Sequence, residues 1–243
     1  MLAVIGGTGL SELEGIDSGS VQEVETPWGS AKIQNGVIDK YPFVFLSRHG
    51  VPPEIPPHRI NYRANIGALV ELGVSEIIAV NTVGSVDPGL EVGDLVLPDQ
   101  VIDYTWGRDS TFFDKAIRHI DFTFPFDSGV RKKLLDAVLS LGISSGFHDS
   151  GTYGCTQGPR LETAAEIKKL QYDGCTLVGM TAMPEAALAR EQSIPYASLC
   201  AVINKGAGLE GLPVDFAEAA AAMSESGKKI RQIIRRYAEI SPI

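Results

Sequence analysis

The run Gly6-Gly7-Thr8-Gly9 directly follows the first apolar segment of the chain. Glycines there let the backbone approach a ligand, and the exposed amides and the Thr8 hydroxyl are donors suited to phosphate oxygens. The run is not a dinucleotide fingerprint, because counting G-x-G-x-x-G from Gly7 places Glu12 where the last glycine belongs. A tight turn between a strand and a helix explains the same glycines, so both interpretations stay open.

Donor side chains also follow three later apolar segments. The three runs are Arg48-His49-Gly50, Asn81-Thr82-Val83-Gly84 and Met180-Thr181. Arginine binds phosphate through two parallel hydrogen bonds, and histidine adds a donor that can be charged. For the first run alone, a surface salt bridge and a satisfied histidine are the alternative. Ligands of open α/β sheets gather at the carboxyl ends of strands, so the convergence of these runs predicts an oxyanion site.

Two further positions suit a heterocyclic ring. Glu162 follows Gln157-Gly158-Pro159-Arg160-Leu161, and Asn204-Lys205 closes the apolar run before it. A carboxylate accepts hydrogen bonds, while a carboxamide both donates and accepts, so the pair fits a ring with an N–H and a carbonyl. The structural alternatives are an acid at the start of a helix for Glu162 and a turn residue for Asn204.

The elements that position these residues are short and apolar. Most of the apolar runs are continuous, which is typical of strands covered on both faces. The runs are Leu2–Ile5, Phe43–Leu46, Ile77–Val80, Leu95–Leu97, Leu177–Met180 and Tyr196–Ile203. Helical spacing lies between them, at Val130, Leu134, Leu135 and Val138, and again at Ile230, Ile233, Ile234 and Tyr237. The alternation predicts one α/β sandwich domain, residues 1–243, around a mostly parallel sheet.

One segment outside this alternation, Thr105–Phe126, is rich in aromatic residues. Two interpretations fit it equally well. The aromatic side chains line the core, or they form a pocket wall or a subunit interface.

Composition narrows the function classes. The 243 residues carry a net charge of −9, so no overall positive field attracts a nucleic-acid backbone. Hydrophobic residues make up 44% and charged residues 21%, which is ordinary for a globular protein. No apolar run approaches the ~18 residues that a membrane span needs. The expectation is a protein that binds neither nucleic acid nor membrane.

The cysteines and the first residues point to a cytoplasmic location. Cys155, Cys175 and Cys200 are odd in number and far apart, with no CxxC spacing. That pattern argues against a disulfide scaffold or a zinc site and suits a reducing compartment. The start of the chain has no basic segment before its apolar run, so no signal peptide is predicted.

In five of its motifs the chain resembles the trimeric purine nucleoside phosphorylases and methylthioadenosine phosphorylases. The resemblance covers nearly the whole chain in order. Its motifs are Ile5-Gly6-Gly7-Thr8-Gly9, Ser47-Arg48-His49-Gly50, Asn61-Tyr62-Arg63-Ala64-Asn65, Gln157-Gly158-Pro159-Arg160-Leu161-Glu162-Thr163 and Gly179-Met180-Thr181-Ala182-Met183-Pro184-Glu185. It implies an α/β sandwich around a mixed sheet and phosphate-dependent cleavage of a purine nucleoside, with inorganic phosphate as co-substrate and no metal or redox cofactor.

The resemblance also implies roles for individual residues. The phosphate site it implies consists of Thr8, Arg48, His49, Asn81, Thr82 and Thr181. The base and sugar site it implies consists of Val83, Gly84, Leu161, Glu162, Met180, Asn204, Lys205 and Gly206. His119 resembles a histidine that a neighbouring subunit places over the sugar 5′ end, which implies a homotrimer. Asn204, His49 and Thr181 are the implied catalytic groups, with Asn204 donating near purine N7.

At two positions the chain departs from the methylthioadenosine branch, which has an aspartate at Asn204 and a serine at Glu162. Glu162 with Asn204-Lys205 resembles the pair of 6-oxopurine enzymes, in which the glutamate accepts from N1–H. The resemblance thus predicts hypoxanthine and guanine nucleosides rather than adenosine ones.

The sequence determines the 5′ substituent of the sugar less closely than it determines the base. Val214, flanked by Ala217, resembles the apolar 5′ position of the methylthio branch, so methylthioinosine joins inosine and guanosine as a candidate substrate. The alternatives are a methylthioadenosine phosphorylase, a non-catalytic nucleoside-binding module, and a nucleotide-sugar epimerase or dehydrogenase suggested by the glycine run.

Overall fold

A computed structural model describes residues 1–7, 17–38, 40–211 and 213–240, and the elements below belong to that part of the chain. Its strands are β1 (Leu2–Gly6), β2 (Asp17–Thr26), β3 (Gly29–Ile38), β4 (Tyr41–Ser47), β5 (Glu76–Ser85), β6 (Leu95–Val96), β7 (Gln100–Asp103), β8 (Phe147–His148), β9 (Thr152–Cys155), β10 (Leu177–Gly179) and β11 (Tyr196–Lys205). Its α-helices are α1 (Tyr62–Glu71), α2 (Ser128–Ser140), α3 (Ala164–Tyr172), α4 (Glu185–Glu191) and α5 (Phe216–Ile240). Pro57–Arg59 forms a single 3₁₀ turn.

All of these strands belong to one mixed sheet. The main order is β2-β3-β4-β1-β5-β10-β9-β7, while β11 pairs with β5 and β6, and β6 pairs with β8. Strands β4, β1, β5 and β11 run parallel to one another, whereas β10 runs antiparallel to β5. The predicted mostly parallel sheet is therefore confirmed for its centre, and the antiparallel strands make it mixed.

The sheet splits along one edge of β5. Pairing with β1 stops at Ala79, and pairing with β10 begins at Gly84 on the same edge. The residues between them, from Val80 to Val83, face neither strand. Polar backbone groups left open inside a protein need other partners. The split therefore leaves a gap in the middle of the sheet, where these backbone polar groups are paired with neither β1 nor β10.

Helices cover both faces of the sheet. Alternate residues of β1 enter two separate apolar cores, with Ala3 and Ile5 in one and Leu2 and Val4 in the other. Helices α1 and α4 contribute to the first core, and α2 and α5 contribute to the second. Period-2 alternation places these residues on opposite faces. The predicted α/β sandwich is confirmed.

Helix caps fix where the helices begin. The Asn61 side chain accepts from the Ala64 N–H at 3.0 Å, and Asp127 accepts from Val130 at 2.9 Å. Thr163 forms a capping box with Glu166 at the start of α3. Such caps satisfy backbone donors that have no partner inside the helix. The cap of α3 comes directly after Glu162, so it fixes the chain at one of the predicted site residues.

The aromatic segment divides between its two interpretations. Phe126 is buried, and Phe112 and Phe122 pack partly buried against the first core. Trp106 and Phe124 are 73% and 71% exposed. One part of the segment therefore lines the core, and the other part forms an exposed apolar surface.

The three cysteines are free and buried. No helix in the described ranges has the length and apolar character that crossing a membrane requires.

Candidate active site

A cavity of about 320 Å³ opens at the split in the sheet. Donor-rich side chains line one end, and the side chains predicted to face a heterocycle line the other. The residues around it are Gly7, Arg48, His49, Pro57, Thr82, Val83, Gly84, Leu161, Glu162, Val178, Gly179, Met180, Thr181, Ile203 and Asn204. The convergence that the strand ends predicted is thus present in the geometry.

Arg48 is buried at the donor-rich end and held by three hydrogen bonds. Its Nε and Nη2 donate to the Glu185 carboxylate at 3.0 and 2.8 Å, and its Nη1 donates to the Val80 carbonyl at 2.9 Å. Burial alone lowers the pKa of Arg48, but the adjacent Glu185 carboxylate outweighs burial and raises this pKa above its usual value. The Arg48–Glu185 salt bridge is buried, so the alternative of a surface salt bridge does not hold. Nη1 and Nη2 of Arg48 each keep a second N–H that can donate to an anion.

His49 lies beside Arg48 at the donor-rich end of the cavity. Its Nδ1 is 2.7 Å from the Ile55 carbonyl, and since a carbonyl only accepts, Nδ1 carries the proton. Burial is the main cause that lowers the pKa of His49, and the Arg48 charge lowers it further, although the bond to Ile55 acts in the opposite direction. A Cβ at Gly7 would lie 3.4 to 3.5 Å from the Cδ2 and Nε2 of His49. The Nε2 atom of His49 is therefore close to Gly7.

Thr181 faces the cavity, and buried side chains on its other side orient its hydroxyl. Ser198 Oγ donates to Asn81 Oδ1 at 2.8 Å, and Asn81 Nδ2 donates to Thr181 Oγ1 at 2.8 Å. Because Thr181 Oγ1 already accepts, its own O–H is left to donate into the cavity. Asn81 itself is buried behind Thr181 and does not line the cavity, whereas Thr82 does.

Glu162 stands at the opposite end of the cavity on the loop that leads into α3. It is half-buried, and its Oε1 accepts from the Thr156 hydroxyl at 2.6 Å. Leu161 precedes it and also lines the cavity. The structure thus does not support the alternative of an acid in the first turn of a helix, since Glu162 lies before the cap of α3 and faces the cavity.

Asn204 reaches the cavity because β11 is irregular there. The pairing with β5 shifts between Val202 and Asn204, which leaves Ile203 as an extra residue. Bulges of this kind redirect a side chain. A Cβ at Gly84 would lie 3.0 Å from Asn204 Nδ2, so only glycine leaves this space to the carboxamide. One N–H of Nδ2 donates to the Lys205 carbonyl at 2.8 Å, and the other is not used by that bond.

Arg108 ties the walls of the base end together. Its guanidinium donates to the Met180 carbonyl at 2.9 Å and to the Gln157 carbonyl at 2.9 Å. It also donates to the Tyr62 hydroxyl at 3.1 Å and to the Met183 carbonyl. The Met180 side chain packs over the strand-connecting loop at Gly158. One side chain from the aromatic segment therefore fixes two loops that border the cavity.

Several predicted residues lie outside the cavity lining. Lys205 turns away, because its ammonium donates to the Leu90 carbonyl at 2.6 Å and pairs with Glu91 at 3.0 Å. Gly206 packs where a Cβ would lie 2.6 Å from the Ser85 carbonyl, so its role in this structure is close backbone packing. The remaining residues outside the lining are Asn81, His119, Val214 and Ala217. Thr8 lies outside the described residues.

Sequence reasoning missed four residues that support the site. Glu185, Ser198, Thr156 and Arg108 each hold a cavity residue or a cavity wall in place. Only Glu185 has a signal in the sequence, because it is an acidic residue followed by an apolar run in α4. A buried carboxylate there requires a charged or hydrogen-bonding partner. Among the described residues, no group of three His, Cys, Asp or Glu side chains is arranged to hold a metal ion.

The cavity combines hydrogen-bond donors of Arg48 and Thr181 at one end with the Glu162 carboxylate and the Asn204 carboxamide at the other, and these groups have the chemistry that an anion and a heterocycle need. A family model described as the phosphorylase superfamily matches residues 1–239, and the chain belongs to that superfamily.

Curated relatives and solved structures agree with this membership. The chain is 44% identical to a probable S-methyl-5′-thioinosine phosphorylase of Pseudomonas syringae pv. tomato, over 98% of each chain. It is 43% identical to the 6-oxopurine nucleoside phosphorylase of Pyrococcus furiosus, over 96% of this chain and 90% of the relative. A methylthioadenosine phosphorylase from an antarctic soil metagenomic library superposes with a TM-score of 0.92 at 35% identity, covering 98% of this chain and 85% of the other.

Proposed function

We propose that this protein cleaves 6-oxopurine nucleosides with phosphate, yielding the free base and a ribose 1-phosphate. The substrates are inosine, guanosine and 5′-methylthioinosine. The observation that carries the proposal is one cavity with Arg48, His49 and Thr181 at one end and Glu162 and Asn204 at the other. Relatives at 40–50% identity are named S-methyl-5′-thioinosine and 6-oxopurine nucleoside phosphorylases, which supports the same assignment.

The arrangement provides for both charges that develop in the reaction. As the bond from ribose C1′ to purine N9 breaks, the sugar becomes positive and the purine negative. Phosphate held by the donors of Arg48 and Thr181 stabilises the sugar and then forms the new bond from its oxygen to C1′. Asn204 donates its unused N–H near purine N7, where negative charge collects. A donor aimed at developing charge typically contributes ~10²–10³ in rate.

Glu162 selects the base by its hydrogen-bonding edge. A 6-oxopurine carries an N1–H that donates a hydrogen bond to the carboxylate, whereas adenine presents a lone pair there. Adenine would leave two acceptors facing each other, and sites of this kind discriminate by ~10⁴ or more. The solved methylthioadenosine phosphorylases have a similar fold, but a shared fold does not determine which base is bound. The Glu162–Asn204 pair is what favours the 6-oxopurine assignment.

The 5′ end of the sugar and the assembly form the second part of the proposal. His119 is exposed in the aromatic segment near Ile117, a residue that is 91% exposed. We propose that three subunits associate through this surface, so that His119 covers the 5′ end of a neighbour's site. Val214 and Ala217 lie just before and within the start of α5 and are proposed to form the apolar 5′ wall. The protein is proposed to be a cytoplasmic, single-domain enzyme that needs phosphate and no other cofactor.

Product analysis tests this function. Purified protein is incubated with inosine and phosphate, and sugar phosphate is followed by ³¹P NMR while hypoxanthine is followed by absorbance. Equal amounts of hypoxanthine and ribose 1-phosphate are expected. Hypoxanthine with free ribose would show a hydrolase. Binding of inosine with no base released under any phosphate concentration would favour the nucleoside-binding module.

A further inference from the structure

The Thr156 hydroxyl makes a short hydrogen bond to Glu162. Thr156 ends the strand pairing of β9, and its backbone N–H donates to the Gly179 carbonyl at 2.8 Å. Its Oγ1 lies 2.6 Å from Glu162 Oε1 and 3.4 Å from the Gly179 carbonyl. Bonds of 2.5–2.7 Å from a hydroxyl to a carboxylate are the strong, charge-assisted kind. The single hydroxyl proton therefore goes to Glu162 rather than to the carbonyl.

The backbone on both sides of Glu162 is held independently of Thr156. Arg160 donates to the Leu161 carbonyl at 3.1 Å, and its guanidinium bonds both oxygens of Glu166 at 2.7 and 2.8 Å. The bond from Arg160 is the main cause that lowers the pKa of Glu166 to about 2. Thr163 then closes the capping box with Glu166. Loss of the Thr156 hydroxyl would consequently free the Glu162 side chain while its backbone stays in place.

A second cavity gives the Glu162 side chain somewhere else to go. We name it the rear cavity; it measures about 390 Å³ and has Thr156, Glu162, Arg160 and Lys169 in its lining. Glu162 lines both cavities and so stands between them. A carboxylate that turned into the rear cavity would find the Lys169 ammonium there, whereas Arg160 already bonds Glu166, which lines the same cavity. Carboxylates are attracted to such a cation even when it is partly solvated.

We propose that Thr156 is a positioning residue for base selectivity, because its hydroxyl holds the Glu162 carboxylate toward the base and out of the rear cavity. The proposal rests on the proposed phosphorolysis of 6-oxopurine nucleosides. With Oε1 engaged by Thr156, Oε2 is the oxygen left to accept the purine N1–H. A glutamate free to leave would no longer reject adenine, so selectivity depends on the hydroxyl as well as on the carboxylate.

The test compares kcat/KM for inosine with kcat/KM for adenosine in wild type and variants. Thr156→Val removes the hydroxyl and keeps the branched shape and the backbone bond to Gly179. We expect the inosine-to-adenosine ratio to fall about 10-fold, the order of a hydrogen bond to a charged group. Thr156→Ser retains the hydroxyl and should keep the wild-type ratio. Thr156→Ala serves as a second hydroxyl-free variant if the valine variant does not fold.

The chain offers a matched control for the loss of such a bond. Thr111 Oγ1 donates to Glu191 Oε1 at the same 2.6 Å, away from both cavities. Thr111→Val is therefore expected to leave the ratio unchanged. In a Glu162→Ala background, which has no acceptor for the Thr156 hydroxyl, removing that hydroxyl should no longer alter the ratio, because the two residues act through one contact.

The outcomes separate this proposal from the proposed function. Wild type that releases no base from inosine overturns the function and the positioning role together. Active wild type in which Glu162→Gln lowers the ratio but Thr156→Val does not overturns the positioning role alone. Equal losses for inosine and adenosine in Thr156→Val would show a merely structural role and would also overturn it.

Discussion

Asn204 owes its place in the cavity to one extra residue in β11 and to a glycine opposite. Asn204→Asp keeps the shape of the side chain but changes what it can offer to a purine. A protonated aspartate donates to N7 while its other oxygen accepts from a 6-amino group, so preference should move toward adenosine. We expect inosine turnover to fall by about 10²–10³, the usual cost of a lost donor at developing charge. Steady-state kinetics on both nucleosides measure this, and an unchanged inosine-to-adenosine ratio would contradict the role of Asn204.

The relay from Ser198 through Asn81 to Thr181 gives a second prediction. Ser198→Ala and Asn81→Ala each release the Thr181 hydroxyl from its fixed direction. The KM for phosphate should rise about 10-fold, the order of one hydrogen bond to an anion, with the nucleoside KM unchanged.

Ser226→Ala is the control for that relay. Ser226 Oγ is equally buried, and among the described residues it has no hydrogen-bond partner. Its substitution should leave the phosphate KM unchanged. An equal rise in the KM values for phosphate and nucleoside in the relay variants would argue against a role directed at phosphate.

At the scale of elements, the apolar runs predicted the centre of the sheet and missed its margins. All six predicted runs lie within or overlap strands, and both predicted helical faces lie on α2 and α5. Continuous apolar runs mark buried central strands, but β2 and β3 alternate polar and apolar residues at an edge, and β7 and β8 are too short to show a period. The split at β5 is a tertiary feature with no local signal, so the cavity's location depends on pairing that no single segment encodes.

Arg108 joins the aromatic segment to two loops that border the cavity. Arg108→Ala leaves several partly buried carbonyls without a donor. We expect the free energy of unfolding to fall by about 3 kcal/mol. Denaturant unfolding measures it.

Arg236→Ala is the matched control for Arg108. Arg236 donates to Ser140 Oγ at 2.9 Å and pairs with Glu239 at 2.8 Å, but its side chain is 38% exposed. Its loss should cost less than about 1 kcal/mol. Equal destabilisation by the two substitutions would show that the Arg108 bonds hold the loops no more firmly than a surface pair.

Sequence analysis predicted site residues best where a side chain offers a distinctive group to a ligand. It missed residues that act by holding another side chain in place. Glu162, Asn204, Arg48 and Thr181 were predicted, because each follows a recognisable run and offers a group suited to a ligand. Thr156 was missed, because a threonine whose hydroxyl orients another side chain has no signal of its own in the sequence. Lys205 shows the opposite failure, since its position beside Asn204 says nothing about the direction of its long side chain.

At the scale of the whole molecule, the net charge of −9 leaves phosphate binding to local donors. The proposed trimer adds His119 from a neighbour, and subunit mixing tests this. His119→Ala and Asn204→Asp are each expected to be poorly active on inosine. Random reassembly of equal amounts pairs an intact Asn204 with an intact neighbouring His119 in about a quarter of sites. Inosine turnover should recover to that level, and no recovery in a confirmed mixed oligomer would place His119 outside the neighbour's site.

Glu162 and Asn204 are proposed to make this phosphorylase specific for 6-oxopurines. The most direct measurement is base release from inosine, 5′-methylthioinosine and 5′-methylthioadenosine, each with and without phosphate. We predict phosphate-dependent release from the two 6-oxopurine nucleosides and almost none from methylthioadenosine. Methylthioadenosine as the dominant substrate would contradict the base assignment, even with the fold and the phosphate chemistry intact.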